Sequence, residues 1–143
     1  MDTWLNSIKI EIQTFDWEKE NKILTEEELS ITTFPAIHGM PNVGLLIECK
    51  EKIIVYSSDT SINPIIKNFK KVDFLIHEAT TAQEKLPYHT SLREIIDFHP
   101  LQDIEQVILV HLSDGEPYDQ LIMNACLKKG KINVAYDGMM IQL

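Results

Sequence analysis

The chain has 143 residues, of which 44% are hydrophobic and 24% charged, a usual composition for one globular domain spanning residues 1–143. A net charge of −9 disfavours broad coating of nucleic acid, although a small phosphorylated substrate or RNA end held at a metal ion stays compatible with it. Cys49 and Cys126 make no disulfide framework, and no signal peptide or long apolar span is present, so we predict a cytoplasmic protein without membrane contact.

The first part of the chain predicts antiparallel strands. Alternating apolar residues at 8–12 indicate a half-buried strand, and residues 29–34 indicate a second one. A turn at 39–42 leads into a strand over 43–49. After a short polar connection, residues 53–58 are predicted to return antiparallel to it.

The remaining chain predicts helices that alternate with strands. Pro64 and Pro117 fit the first turn of two helices, and Ser91 with Glu94 forms a capping box that starts another. On the last helix Cys126 falls on the apolar stripe, which predicts that it is packed. Apolar runs predict strands at 73–77, 107–111, 132–135 and 139–143. The fold class is therefore α/β.

Three fully apolar strands run directly into titratable residues. Asp59 follows one strand, His77 and Glu78 lie at the end of the next, and His111 follows a third. Because ligands gather at the carboxyl ends of such strands, we expect these groups at one rim. Imidazole and carboxylate are usual ligands for zinc, manganese and iron, which favours a metal site. Taken singly, Asp59 is better explained as a helix cap and His111 as a hydrogen-bonded structural histidine, and it is their combination that favours a metal site.

Two further histidines precede turns or helix starts. His38 lies before a glycine turn and is either a loop residue or a ligand. His89 lies just before the capping box, where it is either solvent-exposed or a proton donor at a helix N-terminus. His99 ends a helix, and stabilisation by the helix dipole accounts for it. We expect His77 and Glu78 to orient ligands by hydrogen bonds.

Five segments together resemble the metallo-β-lactamase superfamily, closest to its ribonuclease Z and phosphodiesterase branch. The segments that carry the resemblance are 38–48, 56–60, 73–80, 88–91 and 110–113. Their order and spacing agree with that family over about residues 28–143. The resemblance implies the C-terminal half of an αβ/βα sandwich, with a mixed sheet and helices on one face.

The resemblance also implies roles for individual residues. His38 would bind one metal ion, His111 the other, and Asp59 would bridge the two. His89 would assist the leaving group, so that Asp59 and His89 are the catalytic pair. The residues expected to support them from behind are Ser58, His77, Glu78 and Ser113. A complete site would hold two zinc ions, or manganese or iron, and would cleave a phosphodiester such as an RNA end or a cyclic nucleotide.

The chain departs from the family at its main signature, His-x-His-x-Asp-His. It has five histidines, and no two of them are separated by a single residue. Each metal would then keep about two protein ligands, fewer than the usual three or four. We therefore expect the isolated chain to be inactive, with no metal bound as one outcome, and its chemistry to need a missing N-terminal half.

Two consequences and one alternative follow from this departure. A second sheet without its partner exposes an apolar face, so we expect a homo-oligomer or a separate complementary N-terminal half. Tyr88 and Leu45 stand where ribonuclease Z has a glycine and an aromatic residue, which favours the phosphodiesterase branch in general over tRNA processing. The alternative is a non-catalytic truncated module that acts as a scaffold or interaction partner.

Overall fold

A computed structural model of the chain describes residues 12–143, which form a mixed sheet covered by short helices. The strands are β1 (Asn21–Thr25), β2 (Leu29–Pro35), β3 (Val43–Cys49), β4 (Lys52–Tyr56), β5 (Phe74–Glu78), β6 (Gln106–Val110) and β7 (Ile132–Val134). The helices are α1 (Leu92–Phe98) and α2 (Tyr118–Asn124), with 3₁₀ turns at Pro64–Asn68 and Leu101–Asp103. None of the helices within residues 12–143 has both the length and the apolar character needed to cross a membrane.

The strands lie side by side in their order along the chain, from β1 to β7. Neighbours from β1 to β4 are antiparallel, and neighbours from β4 to β7 are parallel. The carboxyl ends of β4, β5 and β6 therefore meet at one edge of the sheet, where binding groups gather in open α/β folds. The predicted mixed sheet, with antiparallel strands first and parallel strands after, is confirmed.

The core lies between one face of the sheet and the helices, as predicted. Alternate residues of the central strands point to that face, and Val55, Leu75 and Val107 are fully buried there. Leu92 and Ile95 of α1 are also fully buried and belong to the same cluster. Burial of side chains of this size contributes about 1.5–3 kcal/mol each, so this layer supplies most of the fold's stability.

The opposite face of the sheet is apolar and only partly covered. Ile47 of β3 pairs with Ile54 of β4, and Tyr56 of β4 pairs with Ile76 of β5. All four side chains are half-buried. This apolar face, formed by Ile47, Ile54, Tyr56 and Ile76, is the surface that a second sheet of a sandwich would cover.

The start of α1 matches its predicted capping box. The Ser91 hydroxyl accepts a hydrogen bond from the Glu94 backbone N–H, and the Glu94 carboxylate accepts one from the Ser91 N–H. Both bonds satisfy N–H groups that would otherwise lack partners at the helix start. This cap fixes the direction in which the preceding loop, with His89, enters the helix.

Several predicted elements differ from the structure. Residues 139–143 form no strand, because after the turn at 137–138 they do not pair with β7. The segment beginning at Pro64 is a 3₁₀ turn, and α2 ends at Asn124, which leaves Cys126 exposed instead of packed. Strand β1 was not predicted, and the strand predicted at 8–12 lies almost wholly outside the described residues.

Candidate metal centre

Three strand ends bring polar side chains to the same edge of the sheet. Asp59 follows β4, Glu78 ends β5 and His111 follows β6. The Nδ1 atom of His111 lies 3.2 Å from the Asp59 Oδ1 atom. His111 has a φ of 53°, a left-handed conformation that turns the chain sharply just after the strand. The structure thus places an imidazole and a carboxylate in contact at the predicted rim.

The loop histidines join this pair and form a row of rings with it. The His89 ring is stacked on His111 with centroids 5.4 Å apart, and it meets His38 edge-on at 5.3 Å. Tyr88 lies beyond His38, with centroids 6.3 Å apart. Of the predicted site residues, His38, Asp59, His89 and His111 are therefore brought together.

Two of the three imidazoles, those of His38 and His89, are held by a hydrogen bond at Nδ1. His38 Nδ1 lies 3.1 Å from the Tyr88 carbonyl oxygen, and His89 Nδ1 lies 3.0 Å from the Glu78 Oε1 atom. A carbonyl or carboxylate oxygen can only accept, so the Nδ1 atoms of His38 and His89 are assigned the proton. Their Nε2 atoms are then the ones with a lone pair, which is the arrangement expected of metal-binding imidazoles.

Glu78 is a fully buried carboxylate that supports the site from behind. Its Oε1 atom accepts from the Thr60 backbone N–H at 2.8 Å, and its Oε2 atom accepts from the Thr80 hydroxyl at 2.8 Å. These bonds compensate for burial of the charge and fix the oxygen that faces His89. Sequence reasoning missed Thr60 and Thr80, although each is a hydroxyl residue one or two positions after an acid near a strand end.

The predicted supporting serines act through their neighbours. The Ser58 hydroxyl donates to the Asn42 Oδ1 atom at 3.0 Å, and the Asn42 amide donates to the Asp59 carbonyl at 2.9 Å. This ties the loop after β4 to the turn before β3. Ser113 takes part through its backbone, since its N–H donates to the Tyr118 hydroxyl at 3.1 Å. Asn42 and Tyr118 were not singled out from the sequence.

His77 lies on the helix side of the sheet instead of the rim. Its Nδ1 atom donates to the Glu78 carbonyl at 2.7 Å, and its ring packs 5.3 Å from that of His99. Among the described residues, His77 Nε2 and both ring nitrogens of His99 have no hydrogen-bond partner. Burial lowers the pKa of both residues, and it lowers the pKa of His99 to about 3, with His77 and Lys67 adding to the effect. The predicted helix-dipole role for a charged His99 is therefore wrong.

The side chains at the rim are of the chemical types that bind metal ions. Imidazole nitrogen and carboxylate oxygen are the ligands that zinc takes in hydrolytic sites, usually three from the protein. Within residues 12–143, however, no group of three or more histidine, cysteine, aspartate or glutamate side chains is arranged to hold an ion. The rim thus carries the donor chemistry of a metal centre without a full set of ligands.

Comparison with solved structures identifies relatives of the fold. The metallo-β-lactamase fold protein YhfI from Bacillus subtilis is 22% identical, with a TM-score of 0.71, covering 87% of this chain and 53% of that one. Human tRNase Z, short form, is 21% identical, with a TM-score of 0.64, covering 87% and 47%. Zn²⁺-bound PqqB from Methylobacterium extorquens is 18% identical, with a TM-score of 0.60, covering 92% and 52%. The chain spans about half the length of these relatives.

A family match covers most of the chain. Residues 2–112 match the beta-lactamase superfamily domain, and this segment includes the loop of His38, Asp59 and His111. No curated protein matches the chain. The match agrees with the sheet order and with the fold of the solved relatives. The chain therefore belongs to the beta-lactamase superfamily and has the metallo-β-lactamase fold.

Proposed function

We propose that this chain is the C-terminal half of a metal-dependent hydrolase that cleaves phosphodiesters. The observation that carries the proposal is the convergence of the imidazoles of His38, His89 and His111 and the carboxylate of Asp59 beside the carboxyl ends of β4, β5 and β6. Such a set is expected where a metal centre is built. A structural role alone gives no reason for three imidazoles and a carboxylate at one rim.

His38, Asp59 and His111 would hold the metal ions, with Asp59 shared between two of them. Zinc, manganese or iron bound there would supply Lewis-acid stabilisation of the negative charge that develops on the phosphoryl oxygens. The residues of this chain supply about two ligands for each ion, so the remaining ligands would come from a first half of the sandwich.

His89 would act on the leaving group of the phosphodiester. The buried Glu78 carboxylate accepts the Nδ1–H of His89. When the ring also carries a proton on Nε2, that proton can pass to the departing oxygen, and the ring is left neutral with its remaining proton on Nδ1. Glu78 is therefore a positioning residue. Its own orientation is fixed by the Thr60 N–H and the Thr80 hydroxyl, so the imidazole cannot turn without breaking this network.

The solved relatives support this choice of chemistry. One of them is a tRNase Z and another binds Zn²⁺. The substrate would be an RNA end or a cyclic nucleotide held at the metal ions, since a chain with a net charge of −9 offers little attraction to a long polyanion. The two free cysteines fit a reducing compartment such as the cytoplasm.

Substitution of Asp59 by asparagine is expected to weaken zinc binding at least tenfold, because an amide replaces the carboxylate that contacts His111. Zinc and manganese affinities would be measured by calorimetry, and hydrolysis of bis(p-nitrophenyl) phosphate would be assayed on the same samples. Asp97→Asn, on the exposed side of α1, is the matched control and is expected to bind like the wild type. His99→Leu removes a histidine outside the rim and is the imidazole control. Equal affinities for Asp59→Asn and Asp97→Asn would contradict the proposed rim.

A non-catalytic interaction module is the second candidate. It is favoured by one observation, the absence within residues 12–143 of any complete group of metal-binding side chains. Stoichiometric zinc that depends on Asp59 would exclude it. Absence of zinc and manganese from the chain, both alone and after addition of a first half carrying His-x-His-x-Asp-His, would support it.

The apolar face would be covered by a complementary sheet. Ile47, Ile54, Tyr56 and Ile76 are in register across three strands, so they present a continuous surface of half-buried apolar side chains. We propose that the chain uses this face to self-associate when no first half is present, since apolar area of this kind is seldom left in water.

Ile54→Glu is expected to convert self-associated chain into monomer, because a carboxylate at the centre of the face would be buried without a partner. Sedimentation velocity measures this directly. Met123→Glu is the control, since Met123 on α2 is 79% exposed and lies on the opposite side of the sheet. A monodisperse wild-type monomer would contradict the proposal.

A further inference from the structure

Tyr88 has an unfavourable backbone conformation at the edge of the candidate metal centre. Its φ is 62°, a left-handed value that is rare and strained for a bulky side chain. Strain of this kind persists only where the surroundings hold it. Glycine or asparagine would adopt the same conformation more readily, so the choice of tyrosine calls for an explanation in its side chain.

The Tyr88 ring packs against the loop that carries His38. A Cβ atom on Gly39 would lie 3.4 Å from Tyr88 Cδ2, so the ring rests directly against the backbone of the His38 loop. The Tyr88 carbonyl accepts the Nδ1 proton of His38 at 3.1 Å. The two loops are therefore joined by a ring contact and a hydrogen bond to the backbone, which place the phenol ring beside the imidazole of His38, with centroids 6.3 Å apart.

The Tyr88 side chain is nevertheless exposed to solvent. Tyr88 is 54% exposed, and the loop that it contacts carries two more exposed apolar side chains, Ile37 at 45% and Met40 at 72%. Together they make an apolar rim patch, formed by Ile37, Met40 and Tyr88, beside His38. Aromatic surface next to polar reactive groups is typical of the lining of a ligand-binding site.

Given the proposed function, we infer that Tyr88 determines specificity by stacking on an aromatic ring of the substrate, such as a nucleobase, while the phosphate lies at the histidines. Tyrosine stacks well on planar rings, and such stacking does not require charge. Backbone recognition of a long nucleic acid would need a basic surface, whereas this chain has a net charge of −9. The substrate is therefore a mononucleotide-sized phosphoester that carries a base.

The test compares two ligands that share a phosphate and a ribose. Adenosine 5′-monophosphate and ribose 5-phosphate would be titrated into the zinc-supplemented chain by calorimetry, with the Tyr88 ring resonances followed by NMR. We expect the nucleotide to bind about tenfold more tightly, which is the effect of one stacked base. Tyr88→Asn, which tolerates the left-handed φ and keeps the backbone carbonyl, is expected to bind the two ligands equally. Tyr88→Phe is expected to keep the preference.

Equal binding of the two ligands to the wild type, no measurable binding of either, or an unchanged preference in Tyr88→Asn would overturn the inference. Zinc affinity of the wild type and of Asp59→Asn, measured in the same series, separates this failure from failure of the proposed function. Zinc binding that depends on Asp59 without a ring preference would reject only the role of Tyr88. Zinc binding that does not depend on Asp59 would reject the metal centre itself.

Discussion

Lowering the pH from 6.5 to 5 is expected to reduce the free energy of unfolding by about 2 kcal/mol through His99 alone, and by about 4 kcal/mol by pH 3. The cause is a buried imidazole that is kept neutral in the folded chain. His99 is 4% exposed, and its ring nitrogens have no hydrogen-bond partner among the described residues. His77, fully buried against it, acts in the same direction.

The sign follows from the two pKa values of His99. In the unfolded chain its pKa is about 6.5, and burial lowers the folded value to about 3. Between these values the unfolded chain binds a proton that the folded chain does not bind. Acid therefore favours unfolding over this whole range, and the contribution of His99 to stability is complete only above pH 6.5.

Urea unfolding at half-unit steps from pH 7 to pH 5 measures the effect. His99→Leu is expected to lower the slope of the free energy of unfolding against pH by the contribution of one proton. Leucine fills a similar volume and does not titrate. Measurements above pH 5 exclude the titration of Asp73. Burial acts to raise the pKa of this carboxyl, but hydrogen bonds from the Ile53 N–H and Lys52 outweigh burial, so its pKa is lowered. A His99→Leu variant with the wild-type slope would show that this imidazole is not the source.

Gly44→Ala is expected to destabilise the fold by about 3 kcal/mol, because the added methyl group has no space. Gly44 on β3 pairs with Phe34 on β2, and the Phe34 ring lies across it. A Cβ atom at Gly44 would be 2.3 Å from Phe34 Cζ. Phe34 is fully buried and packs edge-on against Phe69 with centroids 5.2 Å apart, so it has nowhere to move.

Thermal or urea unfolding of three variants tests this packing. Gly39→Ala is the matched control, since its new Cβ atom would meet Tyr88 at an ordinary contact distance of 3.4 Å, and we expect a change within about 0.5 kcal/mol. Phe34→Leu combined with Gly44→Ala is expected to cost less than the sum of the two single changes, because the smaller side chain relieves the clash. A Gly44→Ala chain as stable as the wild type would contradict the close contact.

The features that could be predicted from the sequence are those set by local chemistry. The capping box at Ser91 and Glu94 needs only residues three apart, and both of its hydrogen bonds are present. The fully apolar strands before Asp59 and His111 predicted the parallel part of the sheet and the edge at which these side chains meet. A single sequence shows where an apolar run has helical or strand spacing and where it ends. These features depend only on residues of the same helix or strand.

The features that could not be predicted depend on contacts between distant elements. His99 ends a helix, and nothing local shows that the ring of His77 will bury it. Cys126 fits an apolar stripe, but α2 ends before that stripe is complete. From the sequence, Tyr88 is predicted to be an ordinary loop residue. Only the structure shows that its ring packs against Gly39. The buried carboxylate of Glu78 likewise depends on donors from two other segments, at Thr60 and His89.

The chain-order arrangement of the strands has a consequence for how the sheet can form. Within the described residues, each strand is flanked only by its neighbours in the sequence, so no strand from another segment has to be threaded between them. The antiparallel strands β2, β3 and β4 are joined by short turns and can pair early, whereas the parallel pairs join distant residues, such as Phe74 with Gln106, and form more slowly. The sheet can therefore grow by one strand at a time from its antiparallel part, and β7 is the last strand to be added.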